Sequence, residues 1–342
     1  MQQVTDMAGP DVERSTGDEA DPFFFDGRDV RVRPCLFAGS RDLVITFTGR
    51  SANPPVKSGF GESYFMKRRI SAIHFISKAN HWWQSPELGE AITRLNEAGY
   101  FDGYDRKTLY GSSMGGFASL ISSAQIKPNH IILVSAQYSI NGTVVPFEKR
   151  WREYASKLQF DYDDMSKGLD LDCEVSAVVA PLFKPDIQHI KLVEEHRPVT
   201  RVSVPFAGHN TARMLEEAGL MQHILRELID QRFDIRQYRK DLREVRMQSS
   251  LFWFGLAEAL IAHRRMAWAG GPAAIAADMI VKGARMRDAS LQVDILHCAI
   301  TTACKRRDLA GAEEWLKALI DRHPEGYATA LAAAQVAVLQ CD

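Results

Sequence analysis

Residues 107–120 read KTLYGSSMGGFASL. A short β-rich run, Lys107 to Gly111, passes through a serine, Ser113, directly into small-residue sequence whose composition predicts a helix over 114–125, packed closely on a sheet. A strand that turns sharply into a helix at a serine presents the hydroxyl at the strand's end, and the turn leaves no room for a Cβ two residues to either side. Gly111 and Gly115 meet that demand, and Gly116 lets the helix approach the sheet. The helix N-terminus sets its dipole and unpaired N–H groups beside the serine oxygen. Three fixed letters arise by chance in roughly one chain in ten of this length, so the strand-turn-helix context carries the weight.

Outward from this turn, residues 28–210 alternate short apolar runs with helical patterns, the rhythm of a mostly parallel sheet with crossover helices. Strands are predicted at 42–48, 70–76, 107–111, 130–135, 177–183 and 199–205, with an edge strand within 30–38. Pro86 behind Ser85 predicts the start of a helix over 86–98.

A serine hydroxyl is a weak nucleophile near neutral pH and needs a base, which in turn needs a group to fix its tautomer and orientation. Two residues are placed to supply them. PLFKPDIQHI follows the strand at 177–183 and puts Asp186 on the loop at its end; VSVPFAGHNTA closes the last strand and puts His209 on the corresponding loop. Asp186 also reads as a helix N-cap. Asp161, Asp163, Asp164, Asp170 and Asp172 precede their strand and read as a solvated acidic loop, while His189, His196 and His223 fall in predicted helices.

Through YGSSMGG, the Asp186 loop and the GHN turn, residues 28–225 resemble the α/β-hydrolase superfamily, whose site residues run in the order Ser, Asp, His. The resemblance implies Ser113 as nucleophile, His209 as base, Asp186 as orienting acid, and an acyl-enzyme formed from an ester, thioester or amide. It also implies an oxyanion hole built from the N–H of Met114 and a second donor, Gly49 or Arg50, on the loop after 42–48. That loop opens FTGRSANPP where the superfamily often has HGGG or HG. It runs from 49 to 69 with Arg50, Lys57, Lys67, Arg68 and Arg69, either a basic rim for an anionic substrate or a solvated surface. SKANHWWQSPE sets His81, Trp82 and Trp83 at the sheet edge, as substrate-pocket walls or as packing. Residues 138–176 lie where a lid is often inserted, and Phe147, Trp151, Tyr154 and Leu158 at helical spacing read either as that insert's apolar face or as core packing.

From 226 to 342 the sequence is helical throughout, and DLAGAEEWLKALIDRHPEGY (308–327) resembles one tetratricopeptide-type unit with Ala312, Leu316 and Leu319 on one face. One such pair buries too little surface to stand alone, so packing within the chain, self-association or a protein partner is expected there, with 250–285 a candidate second pair. The chain has 342 residues, a formal net charge of -1 and 46% hydrophobic residues, an ordinary globular composition that gives no reason to expect nucleic acid. Five scattered cysteines without a CxxC pair predict reduced thiols in a cytoplasmic setting. Residues 1–27 read as a disordered leader, and no run is long and apolar enough to span a membrane. HExxH, spaced Cys/His clusters, GxxxxGK[ST] and a strand-borne GxGxxG are missing from the sequence, so no metal or cofactor is expected. A serine hydrolase is the leading expectation; an acyltransferase with the same three residues, and an inactive scaffold that binds partners through its helices, are the alternatives.

Overall fold

The structure, a computed structural model, describes residues 23–283, 286 and 288–341. The first 22 residues of the expected leader lie outside the described residues; within its last five, Phe25–Asp26 already form strand β1.

The remaining strands are β2 (Val30–Cys35), β3 (Asp42–Phe47), β4 (Ser71–Ser77), β5 (Arg106–Ser112), β6 (His130–Val134), β7 (Glu174–Val179) and β8 (Thr200–Ser203), in one eight-stranded sheet ordered β1-β2-β4-β3-β5-β6-β7-β8. β1 pairs with β2 and β2 with β4 antiparallel, whereas β3 is parallel to both β4 and β5, and β5 is parallel to β6. The sequence explains the difference. All seven residues of β4 and all five of β6 are buried, as strands covered on both faces require, while β2 alternates buried Val30 and Val32 with the half-exposed Arg31 and Arg33 of a strand near an edge. The fold is α/β with a mostly parallel, α/β-hydrolase-like sheet flanked by helices, and an all-helical region follows it.

The expected strand at 177–183 is displaced: β7 starts at Glu174, and Ala180–Phe183 turn, with the Phe183 N–H donating to the Ala180 carbonyl at 3.1 Å. The expected helix 114–125 breaks at Ser122 into α3 (Met114–Ile121) and α4 (Ser123–Ile126), where the Ser122 hydroxyl donates to the Ala118 carbonyl at 2.6 Å.

The chain divides into two compact units, Met1–Ser176 with His189–Thr200, and Ala177–Gln188 with Arg201–Asp342. In the first, α1 (Glu62–Arg68) and α2 (Pro86–Glu97) flank the early strands. The Ser85 side chain caps α2, which buries Leu88, Ala91, Ile92 and Leu95 at i, i+3, i+4 and i+7 spacing. Each large side chain so buried contributes about 1.5–3 kcal/mol. Between β6 and β7 the segment expected to carry a helical apolar stripe forms only two one-turn helices, α5 (Arg152–Ala155) and α6 (Met165–Gly168). Phe147 packs on His189, Trp151 and Tyr154 pack on Trp82, and Leu158 falls beyond the end of α5, so three of the four are packing residues and the spacing does not make one continuous helical face. Nor is the acidic loop fully solvated: Asp170 is buried, and Asp163 accepts the Ser139 hydroxyl at 2.8 Å while burial pushes its carboxyl up to about 6.

α7 (Lys184–Glu194) begins in the second unit and ends in the first. The second unit continues with α8 (Thr211–Glu217), α9 (Met221–Ile229), α10 (Ile235–Val245), α11 (Ser250–Ala262), α12 (Met266–Val281), α13 (Ala289–Lys305), α14 (Leu309–Arg322) and α15 (Tyr327–Cys341). Helices α11 to α15 pack each on the next. On α14 the buried face is Ala312, Trp315, Ala318 and Leu319, with the half-buried Leu316 beside it; the indole N–H of Trp315 donates to Asp278 of α12 at 3.0 Å. The 250–285 pair is present as α11 and α12.

Candidate active site

Ser113 sits at φ 53°, ψ -117°, between β5 and α3. A side chain in that region costs of order 1–3 kcal/mol and survives only where its surroundings enforce it. They do so here. The Ser113 N–H donates to the Val134 carbonyl of β6 at 3.0 Å, and its carbonyl accepts from Gly116 and Phe117 at 3.0 and 3.2 Å. A Cβ on Gly111 would lie 2.2 Å from the Gly115 carbonyl oxygen, and one on Gly115 would lie 2.2 Å from that of Phe47. Met114 is the first residue of α3, so its N–H is among the four for which the helix has no acceptor.

The Ser113 hydroxyl meets a buried side chain that the sequence did not single out. The Gln137 carboxamide, 0% exposed at the end of the turn after β6, donates from Nε2 to Ser113 Oγ at 3.0 Å and accepts from that hydroxyl at Oε1 at 3.2 Å. The neighbouring Tyr138 N–H donates to Nδ1 of the buried His189 at 3.2 Å. His189 therefore carries its hydrogen on Nε2, which donates to Glu148 at 3.0 Å. Burial alone would raise the Glu148 carboxyl, but the His189 and Arg150 hydrogen bonds and the Arg150 charge outweigh it and hold the group down at about 2.

The loop after β3 starts against the elbow: a Cβ on Gly49 would stand 3.0 Å from the Ser112 carbonyl oxygen. One residue on, Arg50 lies 5.4 Å from the Trp151 ring centroid and donates from Nη1 to the Tyr154 hydroxyl at 3.3 Å. Asn80 then clasps Ser51, accepting its N–H at 2.9 Å and donating to its carbonyl at 2.7 Å.

In the second unit, Asp186 lies in the first turn of α7, not on a loop as expected and not at the N-cap, and it is 0% exposed. The four residues Ala180–Phe183 turn so early that the helix already includes it. His209 sits on the turn between β8 and α8, where Gly208 and Phe206 take φ of 57° and 65°. Its Nδ1–H donates to Asp186 Oδ2 at 2.8 Å. That bond places the neutral ring's lone pair on Nε2, the nitrogen a general base uses.

No family model matches the chain, and no curated protein matches it. Among solved structures, the capsule O-acetyltransferase of Neisseria meningitidis serogroup A is similar at 12% identity with a TM-score of 0.45, over 63% of this chain and 97% of that one. FphF, a fluorophosphonate-binding serine hydrolase of Staphylococcus aureus, is similar at 12% identity and a TM-score of 0.39, over 60% and 92%. Est1E of Butyrivibrio proteoclasticus with bound ferulic acid stands at 11% and 0.41, over 59% and 96%. At that distance the chemistry rests on this chain's own residues.

The sheet-edge trio separates by role. His81 binds Ser77 Oγ at 3.0 Å and lies 3.2 Å from the Asp29 carbonyl, holding its own turn, and burial lowers its affinity for a proton. Trp83 lies in the core against Phe47. Trp82 instead packs against Trp151 and Tyr154, with ring centroids 5.4 and 5.2 Å away. Among the described residues, no group of three or more His, Cys, Asp or Glu is placed to hold a metal, no helix is long and apolar enough to cross a membrane, and Cys35, Cys173, Cys298 and Cys304 are free thiols. A glutamine behind the buried run IILVSA was the one signal for Gln137, and no motif marks it.

Proposed function

We propose that the chain is a serine hydrolase acting on an ester, thioester or amide through an acyl-enzyme on Ser113. The observation that carries this reading is the hydrogen bond from His209 to the buried Asp186, which makes Nε2 the basic nitrogen. The strained elbow at Ser113 supports it from the nucleophile's side.

In the proposed reaction, Ser113 Oγ forms a bond to the acyl carbon as its proton passes to His209 Nε2, and Asp186 stabilises the imidazolium. The carbonyl oxygen becomes an oxyanion that accepts the Met114 N–H and a second N–H from Gly49 or Arg50. Collapse breaks the bond to the leaving group, which departs with the His209 proton. Water then gives a proton to His209 and attacks the acyl-serine; the acid is released as the proton returns to Ser113.

A fluorescent fluorophosphonate tests this directly. Labelling of wild type that disappears in Ser113→Ala and slows strongly in His209→Ala and Asp186→Asn is the expected result. A well-folded wild type that takes no label, or equal labelling of Ser113→Ala, would overturn it in favour of an inactive scaffold. Product analysis with added alcohols or amines separates hydrolysis from acyl transfer.

A further inference from the structure

We propose that Arg50 is a specificity-determining residue that binds an anionic group, a carboxylate or phosphate, on the acyl or leaving-group side of the substrate. The subsite is Arg50 with Trp82, Trp151 and Tyr154; the part it plays in turnover rests on the serine-hydrolase reading.

Position comes first. Arg50 follows Gly49, where a Cβ would stand 3.0 Å from the carbonyl oxygen of Ser112, the residue next to Ser113, so its backbone starts beside the elbow. The backbone is pinned on the other side by the two-point clasp of Asn80 on Ser51. The guanidinium is then aimed by two aromatics: it lies over Trp151 at 5.4 Å and donates to the Tyr154 hydroxyl at 3.3 Å. An arginine with two such contacts has given up part of its rotamer freedom before a ligand arrives.

Its charge is left unmatched. Arg33, Arg106 and Arg150 meet Glu62, Asp42 and Glu148 at 2.9 Å or less, whereas Arg50 forms no ion pair among the described residues. Beside it, Trp82 is 1% exposed and its indole N–H has no hydrogen-bond partner among the described residues. Trp82 and Trp83 take φ of 45° and 57°, a strained conformation for bulky residues of the kind that clusters at ligand clamps. The exposed guanidinium offers donors and no acceptor, so the complementary ligand brings acceptor oxygens and negative charge, and the guanidinium's fork suits a planar carboxylate or a phosphate. Aromatic faces around the cation add contact for a short apolar spacer between the charge and the reacting carbonyl.

The test is binding of monomethyl succinate, methyl phosphate and neutral dimethyl succinate to the full chain, followed by calorimetry and tryptophan fluorescence. Wild type is expected to bind the better of the two anions at least tenfold more tightly than the diester; which anion wins identifies the source of the charge. Arg50→Met is expected to erase the preference, and Tyr154→Phe, which keeps the charge and removes its anchor, to reduce it about threefold. Equal affinity of wild type for charged and neutral ligands, or an undiminished preference in a folded Arg50→Met, would overturn the assignment. Fluorophosphonate labelling is scored separately: lost labelling with intact anion preference rejects the hydrolase reading and leaves the subsite standing, and the reverse pattern rejects the subsite alone.

Discussion

The Gln137 carboxamide grips the Ser113 hydroxyl from both ends, donating to Oγ at 3.0 Å and accepting from it at 3.2 Å. A donor at that distance stabilises negative charge on the oxygen and fixes the side-chain rotamer. A hydrogen bond of this kind is worth about 0.5–1.5 kcal/mol, so Gln137→Ala is expected to slow fluorophosphonate labelling about three- to tenfold. Gln137→Glu, which sets a carboxylate against the same oxygen, should slow it further and more steeply as pH rises. Labelling rates across pH 5–9 check both.

Asp186→Asn keeps the shape of the side chain and removes the charge that faces His209 Nδ1 at 2.8 Å. An amide in that place can present its NH2 group to the ring and favour the wrong tautomer, so activity is expected to fall on the order of a thousandfold or more with little change in melting temperature. Turnover of a simple nitrophenyl ester, alongside a thermal melt, reads the two effects apart.

Glu148 carries a prediction for acid stability. Its carboxyl is held at about 2 in the fold against an ordinary 4.5, so the folded form binds its proton less readily than the unfolded chain does. The contribution, about 3 kcal/mol at full strength, is therefore present above about pH 5 and is lost as pH falls toward 2. Glu148→Gln should be less stable than wild type at pH 7, and the gap should close progressively between pH 5 and 2 in urea titrations.

Asp163 behaves in the opposite sense. Burial raises its carboxyl to about 6, so its protonated form is favoured in the fold, and stability is lost as pH rises through 6. Asp163→Asn, which stays neutral, is expected to melt higher than wild type at pH 8 and to show little gain at pH 4.

Gly255 on α11 supplies a fifth test. A Cβ there would stand 1.7 Å from the Phe206 carbonyl oxygen, on the turn that carries His209. Gly255→Ala should push that turn aside and cut ester turnover at least tenfold while helical content, measured by circular dichroism, is kept.

The sequence's legibility follows from what each signal depends on. The elbow is a local steric problem, and the letters around Ser113 state its solution. His209 and Asp186 are legible because strands end where apolar runs end, but the sequence puts Asp186 on a loop: nothing local to Ala180–Phe183 shows that the chain turns early enough for α7 to include it. Gln137 is not legible in the sequence because its partner is 24 residues away and the contact exists only once β5 and β6 lie side by side. Of the two readings of the stripe Phe147, Trp151, Tyr154, Leu158, packing within the fold holds for the first three, and a single helical face does not form. Trp151 and Tyr154 share one partner, Trp82, across the single turn of α5, whereas Phe147 answers to His189 and lies outside that turn.

Glu217, at the end of α8, accepts the Ser249 hydroxyl at 2.6 Å and the Leu251 N–H at 3.3 Å at the start of α11, and Phe206 stacks edge-on against Phe252 of the same helix. Helix α11 is thus part of the mould in which the histidine turn is cast. Severing the chain at the change in composition would remove α11 with the rest, and a shortened protein that lost its activity would say nothing about whether those helices recruit a partner. α11 is the helix whose side chains and backbone brace the turn, and Arg213 of α8 reaches further along the chain to pair with Asp288 at the start of α13 at 2.8 Å.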